Sequence, residues 1–374
     1  MEEKNDYSKQ IFAVLVFFAV ILFFTILKFT YSVTMPIFVA GLISLLFYPI
    51  LIKLHKIHIP WTFSIILILL ITIIVCAVIG RLLGSSVEAI LASYQKYENR
   101  FKSIYLFIVE KLHMDYDEND SLLNNLWNSE KIRNWIQTQA LSLSSNLLNT
   151  TKTLLMILLL LLFLLLEIRS IKLKSRAAFS ERPLGKKFPH IVGNIINDVT
   201  RYVSIKFLAS LATGILVYLS VVIIHMDFPI VWGFLAFVLN FIPTFGSIIS
   251  WAATTLFSLI QYFPDWGYMV YVAVIVLAIN QIIGSFLEPR IEGKGLGISP
   301  FVILVSLSIW GYIWGFVGMI VAVPFTVIMK IIFENTELLQ PIAVIMGNER
   351  ALKFSKRPFF RKKNKKDSIE EQKP

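Results

Sequence analysis

The sequence has little of what a secreted or soluble protein uses. Its 374 residues include a single cysteine, Cys76, so no disulfide can form within the chain. Charged residues make up only 16% of it, against about 25% in soluble domains, while hydrophobic residues reach 56%. The apolar residues are grouped in blocks of about twenty, a length that crosses the roughly 30 Å hydrocarbon core of a bilayer. These features exclude a soluble enzyme and a disulfide-stabilised secreted domain.

Signatures of catalysis and of nucleotide binding are also missing. The sequence holds no Ser-His-Asp set and no group of histidines and cysteines with the spacing of a zinc site. The glycines at Gly293, Gly295 and Gly297 lack the preceding strand and the Lys-Ser/Thr pair of a phosphate-binding loop. We therefore expect a protein that is not an enzyme and that holds no cofactor and no metal.

The net charge of +11 is distributed as in a membrane protein. Basic residues collect beside apolar blocks at 53–56 and at 169–187, and the tail from residue 349 carries ten Lys or Arg against four acidic residues. Cytoplasmic loops of membrane proteins carry such an excess of Lys and Arg. We expect these segments and both termini to be cytoplasmic, and we expect no nucleic-acid partner.

The pattern along the chain predicts an all-α polytopic integral membrane protein with about eight membrane-embedded segments, some of them re-entrant hairpins. Residues 84–151 are polar, carry eight acidic against six basic residues, and keep helical spacing of their apolar residues. They predict an extracytoplasmic helical insert. The other predicted segments are three spans in 1–83, a fourth span in 152–168, a basic cytoplasmic segment with a membrane-surface amphipathic helix in 169–206, a transport core in 207–334 and a basic cytoplasmic tail in 335–374.

The second half of the chain contains two apolar stretches that are each interrupted. Residues 230–260 are broken around Pro243 and Gly246, and residues 301–329 are broken between Trp310 and Gly315. A single span precedes each stretch, so the order of span and hairpin occurs twice, in opposite orientation. Paired interruptions of this kind point to the binding site of a carrier. The alternative is that all four arms are ordinary short or tilted spans, because a bilayer tolerates such a mismatch in length.

Polar side chains at the first break are candidates for a transport pathway. Pro243 and Gly246 end a helix inside the membrane, and the released backbone groups must be satisfied by protein or by water. This favours a wet pathway beside Asn240, Thr244 and Ser247, although a packing kink would also break the helix.

Further candidates lie in the next span. Asn280 and Gln281 are amides within an apolar block, and they either line the pathway or join two helices. Glu288 and Arg290 flank Pro289 at the cytoplasmic end, where they form either a surface ion pair of little energetic worth or part of a gate. No charged residue lies near the centre of any block, so we expect flux without a strict proton requirement.

Three motifs resemble the autoinducer-2 exporter family of permeases. They are Asn240-Phe-Ile-Pro-Thr-Phe-Gly246, Glu288-Pro-Arg-Ile-Glu-Gly-Lys-Gly-Leu-Gly-Ile-Ser-Pro300, and Ser306-Leu-Ser-Ile-Trp-Gly311 with the following Gly315–Pro324. The order of three spans, an external insert, a fourth span and a compact second half is also similar to that family. The resemblance implies a bacterial inner-membrane carrier that forms a homo-oligomer, with a pentamer among the candidates.

The resemblance implies export of a small polar molecule such as the quorum signal autoinducer-2, with sodium/proton antiport as the alternative within the family. A membrane scaffold that transports nothing is the alternative from a different class. The expected partners are a small polar solute or monovalent cation and the lipid bilayer. The candidate pathway residues are Asn240, Pro243, Thr244, Gly246, Ser247, Asn280, Gln281, Glu288, Pro289, Arg290, Gly293, Gly297, Pro300, Ser306, Trp310, Gly311 and Pro324.

Overall fold

A computed structural model describes residues 2–111, 151–171, 174, 177, 188–292, 297–336 and 339–347. Within these ranges the named elements are all helices, and the prediction of an all-α polytopic membrane protein is confirmed. Among the described residues, five helices are long and apolar enough to cross a membrane: Tyr31–Lys56, Trp61–Ile90, Phe188–Ile223, Trp266–Ile291 and Pro300–Glu334.

The N-terminal part is a group of long helices. Its elements are α1 (Glu2–Phe29), α2 (Tyr31–Lys56), α3 (Trp61–Ala92), α4 (Tyr94–Lys111) and a helix over residues 151–167, here α5. Helices α2, α3 and α5 share a small apolar core formed by Ala40, Leu51, Ile65, Ile68, Leu161 and Leu165. Most other apolar side chains of α3 are exposed, as expected for helix faces that contact lipid tails.

The predicted insert begins within a continuous helix. Helix α3 runs on to Ala92, so the boundary that we predicted between residues 83 and 84 lies inside it. Residues 84–92 of the predicted insert thus belong to α3, and helix α4 follows after a turn at Ser93. Residues 112–150 and the basic tail from 348 lie outside the described ranges.

Helix α6 (Phe188–Ile223) joins two segments that the sequence analysis separated. It is one helix of 36 residues, and the boundary predicted between residues 206 and 207 falls inside it. Val199, Tyr202 and Val203 on its N-terminal half pack against apolar residues of the segment 298–331. This part of the apolar face of the predicted amphipathic helix is therefore packed against protein, and its placement at the membrane surface stays a prediction.

The first broken stretch folds as a hairpin of α7 (Pro229–Leu239) and α8 (Phe245–Tyr262). The ring centroids of Trp232 and Phe257 are 4.8 Å apart, so the start of α7 lies beside the end of α8. With 11 residues at a rise of 1.5 Å each, α7 is too short to cross the hydrocarbon core. We call α7 and α8 the first hairpin.

The second broken stretch, α11 (Pro300–Glu334), is also a hairpin. Trp314 and Gly315 have non-helical dihedral angles, with Gly315 at φ 61°. The hydroxyl oxygens of Ser306 and Thr326 lie 2.6 Å apart, whereas 20 residues of straight helix would separate them by about 30 Å. The two halves of α11 therefore run antiparallel, and we call them the second hairpin.

The two hairpins enter the molecule from opposite ends. The hydroxyl of Tyr262 donates a hydrogen bond of 2.7 Å to Ile224 O, which places the open end of the first hairpin at the C-terminal end of α6. Ile298 and Ile331, at the open end of the second hairpin, pack near Val199 on the N-terminal half of α6. This arrangement is an inverted repeat.

A broken span precedes the second hairpin. It consists of α9 (Trp266–Gln281), a π-helical turn (Ile282–Leu287) and the short helix α10 (Glu288–Glu292), and a last helix, α12 (Gln340–Met346), follows the hairpin. We call α6 with the first hairpin the first repeat, and α9 to α11 the second repeat.

Candidate functional site

A cavity of about 520 Å³ lies where the two repeats meet. The tip of the first hairpin, helix α6 and the span from α9 to α10 form most of its wall. Its lining residues are Tyr202, Lys206, Asn240, Pro243, Thr244, Ser247, Ile248, Trp251, Leu277, Asn280, Gln281, Gly284, Ser285, Glu288, Pro289, Gly297, Ile298, Ile303 and Val323. Nine of the candidate residues from the sequence are among them: Asn240, Pro243, Thr244, Ser247, Asn280, Gln281, Glu288, Pro289 and Gly297.

The tip of the first hairpin is a tight turn that depends on one glycine. Thr244 precedes α8 with a positive φ of 65°. A side-chain carbon added at Gly246 would lie 1.7 Å from Leu239 O, so only glycine permits the two arms to meet there. Gly246 does not line the cavity, but it holds Pro243 and Thr244 in place at its edge.

Asn240 fixes this tip to the middle of α6. Its side chain is buried, and Nδ2 donates a hydrogen bond of 3.0 Å to Ser210 Oγ. A buried hydrogen bond between two side chains contributes about 1 kcal/mol. Asn240 therefore joins the hairpin to α6 and also forms part of the cavity wall.

Asn280 presents an unused hydrogen-bond acceptor. Its Nδ2 lies 3.4 Å from Ser247 O on the first hairpin, and the residue is only 9% exposed. Its Oδ1 atom is buried and accepts no hydrogen bond from the described residues. An unpaired buried amide oxygen is costly, so this atom offers an acceptor to a water or a solute. Asn280 therefore contacts the first hairpin and also lines the cavity, and its role in a pathway stays a prediction.

The π-helical turn follows Asn280 directly. Ser285 Oγ within the turn donates a hydrogen bond of 2.7 Å to Gln281 Oε1, and both residues line the cavity. Short π-helical turns inside α-helices are rare and are frequent at functional sites.

A buried ion pair lies in the same wall. Lys206 Nζ is 2.8 Å from Glu288 Oε1 and 3.0 Å from Oε2, and the two side chains are 8% and 13% exposed. The pair joins α6 to the start of α10. Of the two alternatives for Glu288 and Arg290, the structure does not show the surface ion pair: Glu288 is paired with Lys206, and Arg290 is exposed. The second alternative, part of a gate, stays a prediction.

Sequence reasoning missed Lys206 because it placed this residue at the boundary of two segments. The signal was present, since Lys206 is a single charge between Val203 and Phe207 in a largely apolar run. A lysine in that setting needs a partner.

Several candidates in the second hairpin do not reach the cavity. Ser306 donates a hydrogen bond of 3.2 Å to Ala322 O within the hairpin. Trp310 is 2% exposed, and its ring centroid lies 4.0 Å from that of Phe325. Gly311 faces Met319, and Pro324 borders a second, apolar cavity of about 380 Å³, which shares Tyr202 and Lys206 with the first.

Two further candidates lie near the start of the second hairpin. Pro300 is the exposed first residue of α11, and Gly293 lies outside the described residues. In the described part of the chain no three His, Cys, Asp or Glu side chains are grouped so that they could hold a metal ion.

Comparison of the sequence with known proteins identifies its family. The family model for AI-2E family transporters matches residues 12–338. The chain belongs to the AI-2E transporter family. It is therefore a membrane transporter, and the resemblance drawn from the sequence is confirmed.

Relatives of this AI-2E transporter have similar lengths. A protein of Borreliella burgdorferi, provisionally named a transport protein, is 32% identical over 325 residues, which cover 87% of each chain. The AI-2 transport protein TqsA of Escherichia coli K12 is 27% identical over 327 residues, covering 86% of this chain and 91% of TqsA. YhhT of the same strain, also provisionally named a transport protein, is 30% identical and covers 76% of this chain and 79% of its own.

In this AI-2E transporter, helix α4 is fixed over the open end of the first hairpin. Lys96 forms an ion pair with Asp227, and the hydroxyl of Tyr97 donates a hydrogen bond to the same carboxylate. Arg100 Nη1 donates a hydrogen bond of 3.0 Å to Phe263 O. Burial, followed by the hydrogen bond to Asp227, raises the pKa of Tyr97 above its ordinary value. The described part of the insert thus lies on one side with Asp227 and Phe263, at the end opposite to Glu288.

Proposed function

We propose that this transporter exports a small, polar, uncharged solute, such as autoinducer-2, through the cavity between its repeats. The observation that carries the proposal is the unpaired Oδ1 atom of Asn280, which is buried in the wall of a cavity of about 520 Å³. Ligand sites are cavities of this size with a few polar groups that converge on the ligand.

The groups around the cavity favour a neutral solute. Lys206 and Glu288 neutralise each other, so the described wall carries no net charge. Amide and hydroxyl groups supply the remaining polarity, from Asn280, Thr244 and Ser247 among others. The name of the relative TqsA, an AI-2 transport protein, supports autoinducer-2 as the first solute to test.

Sodium/proton antiport is the second candidate, and the carboxylate of Glu288 in the cavity wall favours it. Both of its oxygens, however, lie within 3.0 Å of Lys206 Nζ. A sodium ion would have to displace this ammonium group before it could bind the carboxylate. We therefore rank antiport below transport of a neutral solute.

The test combines flux with access to the cavity. The protein carrying Cys76→Ser is reconstituted in liposomes, and counterflow of autoinducer-2 is measured beside sodium flux driven by a pH gradient. Thr244→Cys in this background is then treated with a small hydrophilic thiol reagent. Because Thr244 is exposed at the cavity, we expect the cysteine to react and the solute to slow the reaction.

Thr254→Cys is the matched control, since Thr254 lies within α8, the helix that Thr244 immediately precedes, and is fully buried. It should stay unreactive. Absence of flux for every neutral solute, with an unreactive Thr244→Cys, would refute the proposal; sodium flux alone would favour antiport.

Sidedness and assembly stay predictions. We propose cytoplasmic termini, an extracytoplasmic insert and a homo-oligomer. Ser103 on α4 and His190 at the start of α6 are both exposed and lie at opposite ends of the molecule. In Cys76→Ser cells, Ser103→Cys should react with an impermeant reagent from outside and His190→Cys should not. The reverse labelling pattern would mean that the chain has the opposite orientation in the membrane.

A further inference from the structure

The Lys206–Glu288 ion pair connects the two repeats. Lys206 belongs to α6 of the first repeat, and Glu288 opens α10 of the second. Carriers built from inverted repeats work by moving one repeat or bundle against the other around a central site. We propose that this ion pair holds the repeats together at one end of the cavity and that it separates in each transport cycle. The inference rests on the proposed function, since it assumes that the cavity is the pathway.

The position of the pair follows from the contacts around it. The hydrogen bond between Asn240 and Ser210 places the tip of the first hairpin at the level of Ser210. Lys206 lies one helical turn, about 6 Å, closer to the N-terminal end of α6. Glu288 lies on the other wall, two turns beyond Asn280. The pair therefore spans the cavity at the end away from the hairpin tip.

Stability alone does not explain why the pair is buried. Removing two charges from water is expensive, and well-packed apolar residues of similar volume stabilise a protein at least as well. A buried pair does, however, distinguish two states sharply. It is favourable when both partners meet, and each partner needs water or another partner when they part.

The π-helical turn offers a route for the separation. It occupies Ile282–Leu287 and ends directly before Glu288. Conversion of this turn to α-helix changes the register by one residue, which rotates the following residue by about 100° around the helix axis. Such a rotation carries Glu288 away from Lys206 while Asn280 stays in place. The turn and the ion pair thus form one two-state element.

The experiment detects the separation of Lys206 from Glu288 without relying on a measurement of flux. Ser285 lies in the π-helical turn, lines the cavity and is exposed, so Ser285→Cys in the Cys76→Ser background is the reporter. Its reaction rate with a hydrophilic thiol reagent is measured for Lys206→Glu, for Glu288→Lys and for the double variant with exchanged charges. Each single variant replaces the attraction between opposite charges, which lie 3.0 Å apart in the native pair, with repulsion between like charges.

We expect each single variant to raise the reporter's reaction rate by about tenfold and to lower autoinducer-2 flux by about tenfold, because like charges drive the repeats apart. The exchanged pair should return both values to within about threefold of the parent. Lys102→Glu is the control, since Lys102 pairs with Glu98 at 3.2 Å within the single helix α4 and bridges no repeats. It should change neither value.

Charged variants that fail to fold would leave no result, so the neutral double variant Lys206→Met with Glu288→Gln is measured as well. It leaves no unpaired charge at these two positions. It should fold and should raise the reporter rate. Reporter rates that stay unchanged in every folded variant, or an exchanged pair that folds without rescue, would overturn the inference. If the parent shows no flux but the reporter responds as expected, the proposed function fails and the ion pair still joins the repeats.

Discussion

Replacement of Gly246 by alanine tests the construction of the first hairpin most directly. The added Cβ would lie 1.7 Å from Leu239 O and 2.6 Å from the carbonyl carbon of the same residue. Both are backbone atoms, so no side chain can rotate away to relieve the contact. Contacts shorter than 3.0 Å are essentially not found for real Cβ atoms, and the arms would have to separate by more than about 1 Å.

The loss in free energy of unfolding should exceed the loss caused by ordinary overpacking of a core. Inserting a methyl group into a packed core costs about 1–3 kcal/mol when neighbours can adjust. Alanine would regain up to about 1 kcal/mol of helix propensity, which does not offset the clash. We expect the closed hairpin to lose about 3 kcal/mol or more of stability. This loss corresponds to a shift above about a hundredfold in the equilibrium between the closed and the opened hairpin.

Thermal unfolding of the detergent-solubilised protein and autoinducer-2 flux provide the assay. Gly246→Ala should lower Tm by at least about 5 °C and should abolish flux, because Thr244 and Asn240 lose their positions. Gly267→Ala is the matched control: Gly267 lies in α9, and nothing is within 4 Å of the added carbon. Equal Tm and flux for Gly246→Ala and the parent would refute the close approach of the two arms.

Further predictions concern the tip of the second hairpin, the hydrogen bond between Asn240 and Ser210, and Tyr97 on α4. Gly318→Ala should destabilise the protein strongly, since its Cβ would lie 1.9 Å from Trp310 O, whereas Gly311→Ala meets only the flexible Met319 side chain and should lower Tm by less than about 2 °C. Asn240→Ala and Ser210→Ala should show a coupling of about 1 kcal/mol in a double-mutant cycle of unfolding; additive effects would contradict their hydrogen bond. Ultraviolet titration near pH 10 should detect equal phenolate in the parent and in Tyr97→Phe, because the raised pKa keeps Tyr97 protonated there. The stabilisation by this phenol is present below about pH 10 and declines as the pH rises through the pKa of the folded state. If Tyr97→Phe showed one phenolate fewer than the parent near pH 10, the raised pKa of Tyr97 would be refuted.

The first break was predictable because local chemistry determines it. A proline and a glycine close together end a helix whatever surrounds them, and Pro243 and Gly246 do so here. Local sequence does not determine whether the two arms form a hairpin or two separate spans. It depends on the contact between Trp232 and Phe257, and no periodicity within either arm specifies that contact.

Lys206 was missed for a related physical reason. Hydropathy divides the chain wherever polar residues accumulate, and this division fell between residues 206 and 207. The structure continues the helix through that point, because Val199 and Tyr202 are buried against the second hairpin. The partner, Glu288, lies 82 residues further along the chain, so only tertiary packing brings the charges together.

The two hairpin tips share a backbone device and differ in their side chains. In each, a glycine at the start of the second arm lies against a carbonyl oxygen at the end of the first arm: Gly246 against Leu239 O, and Gly318 against Trp310 O. Around the first tip the side chains are short and polar, and they border the cavity. Around the second tip a buried aromatic cluster fills the space, including Trp314, whose Nε1 donates a hydrogen bond of 3.1 Å to Leu27 O.

This difference explains why the candidates in the second hairpin lie away from the cavity between the repeats. A backbone break in a membrane releases polar groups, but protein or water satisfies them equally well. The break itself therefore predicts a hairpin and does not predict a pathway. The proposed pathway rests instead on the side chains near the break, where Asn280 keeps an unpaired oxygen while Ser306 and Thr326 satisfy each other.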